Sequence, residues 1–206
     1  MSNPYVLVVF SSLTGSAKNL AHSVARGVNM CEGIEAKIRT VPSIEEILSH
    51  EEEEVHESQG VAYVTREELE GCHGLAMGSP THFGNMASGL QYWMEQTTSL
   101  WFSGGLVNKP VSVFCASASL HGGQETTLMN MMTPLLHHGM IIVGVPYTVE
   151  GLAKTQRGGT PYGATHVSGE GGKDAELTDD EHAICIAQGR RLAEVALCLE
   201  KMESLK

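Results

Sequence analysis

The chain alternates between short, continuous apolar runs and longer stretches in which apolar residues recur every three or four positions. Residues 5–10 form an unbroken apolar run between small polar residues, the pattern of a strand buried on both faces. The run leads into Leu20, Val24, Val28 and Cys31 at helical spacing, with Thr14 or Ser16 placed to cap the helix and Gly33 to end it. Further strands are predicted at 34–41, 75–78, 111–115 and 140–145. Between them, 86–97 carries Leu90, Trp93 and Met94 as an inward stripe, and 124–138 reads as a helix that Pro134 kinks and Gly139 terminates. A Gly-rich connection at 151–173 follows. Thr178-Asp179-Asp180-Glu181 is then a capping box opening a last helix, with Ile184, Leu192, Val195 and Leu199 inward.

Five apolar strands alternating with helices imply an α/β fold, a parallel sheet covered on both faces by right-handed crossovers. Residues 42–71 are too long for an ordinary connection and carry helical stretches at 43–50 and 66–71, so they read as an insertion within one domain spanning 1–206. Periodicity leaves the strand order open.

Charge removes several classes of partner. Thirteen Lys and Arg stand against 24 Asp and Glu, a net charge of −11, which disfavours nucleic acid and anionic membrane and leaves any bound phosphate to local dipoles. Glu45, Glu46, residues 51–54 and Glu57 concentrate the acidity in what reads as a solvated face. Cys31, Cys72, Cys115, Cys185 and Cys198 form no C-x-x-C pair, no basic segment opens the chain, and no apolar run is long enough for a membrane span. A reduced, cytoplasmic protein is the expectation.

Candidate chemistry gathers in three hydroxyl- and glycine-rich loops, each following a strand: Ser11-Ser12-Leu13-Thr14-Gly15-Ser16, Gly78-Ser79-Pro80-Thr81-His82-Phe83-Gly84-Asn85, and Ala116-Ser117-Ala118-Ser119-Leu120-His121-Gly122-Gly123. Loops at strand C-termini are where open α/β sheets bind ligands, and this composition suits a phosphorylated planar cofactor. Ser12, Thr14 and Ser16 around Gly15 form either a phosphate nest, with Lys18 nearby, or an ordinary helix cap. Phe83 and Trp101 offer an apolar wall to a ring or pack in the interior. His121 makes a loop hydrogen bond or touches the cofactor. His137 and His138 diverge on a helix instead of chelating, so at most one faces a site and the other serves the helix end as a cation. Cys115 reads as an inert strand residue. No G-x-G-x-x-G, P-loop or H-E-x-x-H motif occurs.

Val8, Val9, Phe10, Ser12, Gly15, Ala21 and Val24 resemble the phosphate-binding signature of flavodoxins, with Ala17 where many carry threonine. G-S-P-T-H-F-G-N-M (78–86), Ser99-Leu100-Trp101, H-G-G-Q-E-T-T (121–127), P-L-L-H-H-G-M (134–140) and G-G-T-P-Y-G-A (158–164) together are similar to the WrbA-type NAD(P)H:quinone oxidoreductases, over nearly the whole chain. The resemblance implies a flavodoxin-like, doubly wound, five-stranded sheet of order 2-1-3-4-5 with the insertion after the second strand. It implies FMN at the strand ends, NADH or NADPH as donor, a quinone acceptor, and a homotetramer whose subunits help to wall each site. By position, Ser12, Leu13, Thr14, Gly15, Ser16 and Ala17 would hold the phosphate, and Pro80, Thr81, His82, Phe83, Gly84 and Asn85 would border the flavin ring. Ala116, Ser117, Ala118, Ser119, Leu120, His121 and Gly122 would form its other side, with His137 reaching the cofactor region; His137 is the expected catalytic residue, orienting or stabilising charge near the flavin or quinone. Trp101 and Thr14 are the implied substrate contacts. Thr14, His82 and Ala116 depart from the bulky residue, the arginine and the serine or threonine common among relatives. The implied reaction is two-electron, ping-pong reduction of quinones. Two other readings stand beside it: a flavodoxin-like carrier passing single electrons to protein partners, and an interaction protein without flavin.

Overall fold

Strand β1 (Tyr5–Phe10) is buried at every position, because it lies between parallel neighbours with helices on both faces. The computed structural model describes residues 3–49, 57–58, 60–172 and 176–203. After β1 come α1 (Ser16–Val28), β2 (Glu35–Thr40), α2 (Ile44–Leu48), the hairpin β3 (Glu57–Ser58) and β4 (Val61–Ala62), α3 (Arg66–Gly71), β5 (Gly74–Pro80), α4 (Ser88–Glu95) and α5 (Thr98–Ser103). They are followed by β6 (Pro110–Ser117), α6 (Gln124–His137), β7 (Ile141–Ile142), α7 (Glu150–Lys154), β8 (Ala164–Val167) and α8 (Asp179–Glu203). The main sheet runs β2-β1-β5-β6-β7, the expected order 2-1-3-4-5 once the inserted hairpin is set aside.

Leu20 and Val24 of α1 and Ile184 and Leu192 of α8 pack one face of the sheet. Leu90 of α4 and Leu128, Met131 and Leu135 of α6 pack the other, with Trp93 half-buried at its edge. Among the described residues no helix is long and apolar enough to cross a membrane.

The sheet edge departs from the sequence expectation. Residues 140–145 are not one strand: β7 pairs with Pro110 and Val111, and β8, some twenty residues later, pairs with 114–117 of the same neighbour. Pro146 has no N–H with which to extend the ladder, and the chain leaves the sheet with Val145 donating to Pro161 O at 2.9 Å. Gly163 allows the return, since a Cβ there would lie 2.0 Å from Val113 O. The Gly-rich segment, expected as a plain connection, thus supplies half of the edge.

Smaller corrections follow the same logic. Neither Thr14 nor Ser16 caps α1; Gly15 does so in the left-handed region (φ 94°), and its N–H donates to Ser12 Oγ at 3.1 Å. The helix ends at Val28, leaving Cys31 beyond it. The insertion forms α2 and α3, each opened by a capping box, Ser43 with Glu46 and Thr65 with Glu68, and adds the hairpin between them. His50 and residues 51–54 lie outside the described residues.

The capping box at α8 does more than start a helix. Thr178 Oγ1 accepts from Glu181 N and Thr178 N donates to Glu181 Oε2 at 2.9 Å. The same buried carboxylate accepts from Gly158 N at 2.9 Å and Val167 N at 3.2 Å, and pairs with His166 Nδ1 at 3.0 Å. One side chain therefore fastens α8, β8 and the segment entering β8.

Candidate cofactor and substrate site

Because β1, β5 and β6 are parallel neighbours, their C-terminal ends deliver three loops to one rim. In the first, the α1 ladder begins with Asn19 N donating to Gly15 O at 2.9 Å, so the Ser16 and Ala17 N–H groups precede it. Ser16 Oγ is buried with no protein hydrogen-bond partner, at the positive end of a thirteen-residue helix. This orphaned hydroxyl beside helix-terminal N–H groups has the chemistry of a phosphate cradle. Ala17 is buried and offers only its main chain, whereas Leu13 and Thr14 stand exposed.

The second loop is shorter than expected, since Gly78, Ser79 and Pro80 complete β5. Thr81 N continues the ladder to Ala116 O at 2.7 Å, and His82 and Asn85 exchange N–H···O bonds of 2.8 and 2.9 Å. Phe83 (φ 51°) and Gly84 (φ 75°) fill the centre, both in the left-handed region, as a type I′ turn requires. Asn130 Nδ2 on α6 donates to Gly84 O at 2.9 Å and holds the turn from behind. Phe83 projects fully into solvent.

The third loop leaves β6 at Ser117, whose carbonyl accepts from both Ser168 N and Ser168 Oγ, at 2.8 and 3.1 Å. Ser117 Oγ and Gly122 N both donate to Ser119 O, and His121 takes φ 55°. Ala118, Ser119, Leu120, His121 and Gly122 are exposed, while Ala116 is buried within β6 opposite Pro80. The second and third loops touch: a Cβ on Gly123 would lie 3.1 Å from Gly84 Cα.

Two cavities flank the second loop. The larger, about 690 Å³, is lined by Asn85, Gln91, Glu95, Trp101, Asn130, His137 and His138 among others. The smaller, about 470 Å³, takes in Ser11, Leu13, Ser43, Glu45, His82, Asn85 and Gln91. Trp101 Nε1 donates to His137 O at 2.9 Å and its ring leans on Phe102, so the indole N–H is engaged within the chain. His121 lines neither cavity.

Both adjacent histidines line the larger cavity, against the expectation that at most one would face it. His137 is exposed; His138 is buried. Thr97 Oγ1 donates to Met94 O at 2.6 Å and so accepts from His138 Nε2 at 2.9 Å, which fixes the tautomer with a bare Nδ1. Burial, then the neighbouring His137, pushes the His138 pKa down, so the ring is neutral and not the helix-end cation anticipated. Burial also pushes the Cys115 thiol up to about 12, in keeping with an inert strand residue. No group of three or more metal-ligating side chains occurs among the described residues.

Asn130, Gln91 and Glu95 escaped the sequence reading. Each is a polar residue on a predicted helix, and nothing in its spacing says which loop it faces.

Sheet order and strand-end loops define an α/β protein of the flavodoxin-like class. Residues 4–154 match the family model described as NADPH-dependent FMN reductase, and the chain belongs to that family. It is similar to the NAD(P)H dehydrogenase (quinone) of Solidesulfovibrio magneticus, 42% identical over 92% of this chain and 96% of the relative. The protein of the same name from Trichlorobacter lovleyi is 41% identical over the same shares. Among solved structures, a flavodoxin, WrbA-like protein from Agrobacterium tumefaciens superposes with a TM-score of 0.66 at 19% identity, covering 96% of this chain and 99% of that one. A flavodoxin from the domain Archaea gives 0.61 at 16% identity, covering 94% and 99%. Likenesses at this level concern the fold alone.

Proposed function

We propose that this chain is an FMN-dependent NAD(P)H:quinone oxidoreductase of WrbA type, catalysing NAD(P)H + quinone + H⁺ → NAD(P)⁺ + hydroquinone. The observation that carries the reading is the buried, unpartnered Ser16 hydroxyl at the start of α1, on the same rim as the clamped turn Thr81–Asn85. The residues fit FMN. Ser12, Leu13, Thr14, Gly15, Ser16 and Ala17 hold the phosphate; Pro80 to Asn85 border one side of the ring, and Ala116 to Gly122 the other. Bound FMN supplies the centre that accepts a hydride and returns two electrons.

The chain's own part is positioning. Trp101 gives the quinone an apolar wall. His137 orients the quinone and stabilises charge on its oxygen, and exposed Thr14 contacts the donor. Donor and quinone use one cavity in turn, which makes the kinetics ping-pong. The whole chain acts as one flavodoxin-like domain in a cytoplasmic homotetramer. Exposed Phe83, Trp101, Phe102 and Leu120 are apolar surface of the kind that assembly covers, and the net charge of −11 speaks against nucleic acid.

The test is anaerobic stopped flow on the FMN-loaded protein. Rapid two-electron bleaching by NADH or NADPH, followed by rapid recovery with benzoquinone, is the expected result. Flavin that binds but is bleached by neither nicotinamide, or that accumulates a one-electron-reduced form, would favour the single-electron carrier. Failure to bind FMN would favour the interaction protein. His137→Ala is expected to slow quinone-driven recovery roughly 10²-fold with FMN affinity kept, since the His137 carbonyl, not its ring, holds Trp101. Unchanged rates of both half-reactions would remove His137 from the mechanism.

A further inference from the structure

Asn85, which ends the second loop, and Gln91 of α4 line both cavities, so the cavities are neighbours. Among the described residues each is lined by one carboxylate, Glu95 in the larger and Glu45 in the smaller, and neither by a lysine or arginine. Three histidines also line them: His138, buried and with its pKa pushed down, beside His137 in the larger, and His82 in the smaller. The Glu95 carboxylate is held by local structure. Gln91 Nε2 donates to Glu95 Oε1 at 3.2 Å, one helical turn along α4. Glu45 sits in the first turn of α2, between the two partners of its capping box, and Ser43 lines the cavity beside it.

We propose that this groove selects the nicotinamide donor without a 2′-phosphate, NADH over NADPH, with Glu45 and Glu95 as the specificity-determining residues. The inference rests on the oxidoreductase reading above. A donor with its nicotinamide against a ring between the second and third loops has these two cavities beside the second loop as grooves for its diphosphate and adenosine. A 2′-phosphate adds a charge of about −1.5 to −2 and is ordinarily recognised by arginine or lysine. Along this groove it meets a carboxylate in either direction and, among the described residues, no lysine or arginine. The net charge of −11 adds repulsion of the same sign. The selection runs against the donor in the family's description.

The experiment compares NADH and NADPH in anaerobic reduction of the FMN-loaded protein, at low salt and at 0.5 M NaCl. Calorimetric binding of NAD⁺ and NADP⁺ gives the same comparison without turnover. NADH is expected to be favoured at least tenfold at low salt, with the ratio narrowing in high salt as the charges are screened. The double variant Glu45→Gln, Glu95→Gln should lower the NADH/NADPH ratio at least fivefold. Glu67→Gln, which removes an exposed carboxylate of α3 outside both cavities, should leave the ratio unchanged. Equal or better use of NADPH by the unmodified protein at low salt, or an unaltered ratio in the double variant, overturns the proposal while the enzyme reading stands. If neither donor bleaches the flavin but NAD⁺ binds more tightly than NADP⁺, the selection stands and the enzyme reading fails. Equal binding without bleaching overturns both.

Discussion

Replacing Glu181 with glutamine is expected to destabilise the protein by about 3 kcal/mol at pH 7 and to remove much of its sensitivity to acid. The carboxylate is wholly buried, and burial by itself would raise its pKa. The bond from His166, the Thr178 and Val167 N–H groups and the charge on His166 outweigh that effect and hold the pKa down to about 2, from an ordinary 4.5. A group depressed in the folded state stabilises fully above its unfolded pKa and loses that contribution as pH falls toward the folded one. The sensitive window therefore runs from about pH 4.5 down to about pH 2. Glutamine keeps the size but turns an N–H₂ toward groups that already donate, leaving buried donors unpaired. Urea denaturation at pH 7 and pH 3 measures both effects. A variant as stable as the parent at pH 7, or one with the same acid loss, would show that this carboxylate is not what joins α8 to β8.

Glu181 also shows where sequence reading stops. Its capping box is legible because Thr178 and Glu181 lie three residues apart, whereas its partners Gly158, His166 and Val167 are brought to it only by the edge strand. The edge strand itself was half-legible. The apolar run at 140–145 has the composition of a strand, but composition does not say where Pro146 ends the ladder or that Ala164–Val167 takes the remaining register. The three loops were legible because hydroxyls and glycines crowd directly after apolar runs, a local signal. Asn130 behind Gly84, and the burial of His138 beside exposed His137, depend on how helices α4, α5 and α6 meet. A helical period fixes which residues share a face, not which neighbour that face encounters. The family motifs supplied the strand order and the identity of the cofactor as FMN, where local pattern reached only a phosphorylated planar group.

Gly84→Val is expected to weaken FMN binding roughly 10²-fold while leaving a folded protein. Gly84 sits at φ 75°, and a Cβ there would stand 2.9 Å from Thr126 Oγ1, a hydroxyl already donating to Gly123 O at 2.9 Å. A β-branched residue in the left-handed region costs about 1–2 kcal/mol before any clash. Adding the clash brings the cost of keeping the native turn to about 2.7 kcal/mol, the equivalent of that hundredfold. The turn has a cheaper course, which is to open. Opening breaks the paired bonds between His82 and Asn85 and draws Gly84 O away from Asn130, moving the Phe83 segment from where it is proposed to border the ring. The core does not depend on it, since Phe83 is fully exposed and the turn's contacts to α6 are peripheral. Fluorescence titration of FMN gives the affinity, and far-UV circular dichroism with a urea midpoint gives the fold. Asn130→Ala separates clamp from backbone: it removes the bond to Gly84 O but leaves the left-handed turn intact, so a loss of about tenfold is expected. If Gly84→Val binds FMN as the parent does, the second loop does not border the flavin, whatever its geometry suggests. If Asn130→Ala loses as much as Gly84→Val, the clamp from α6 sets the loop and the turn's own conformation is secondary.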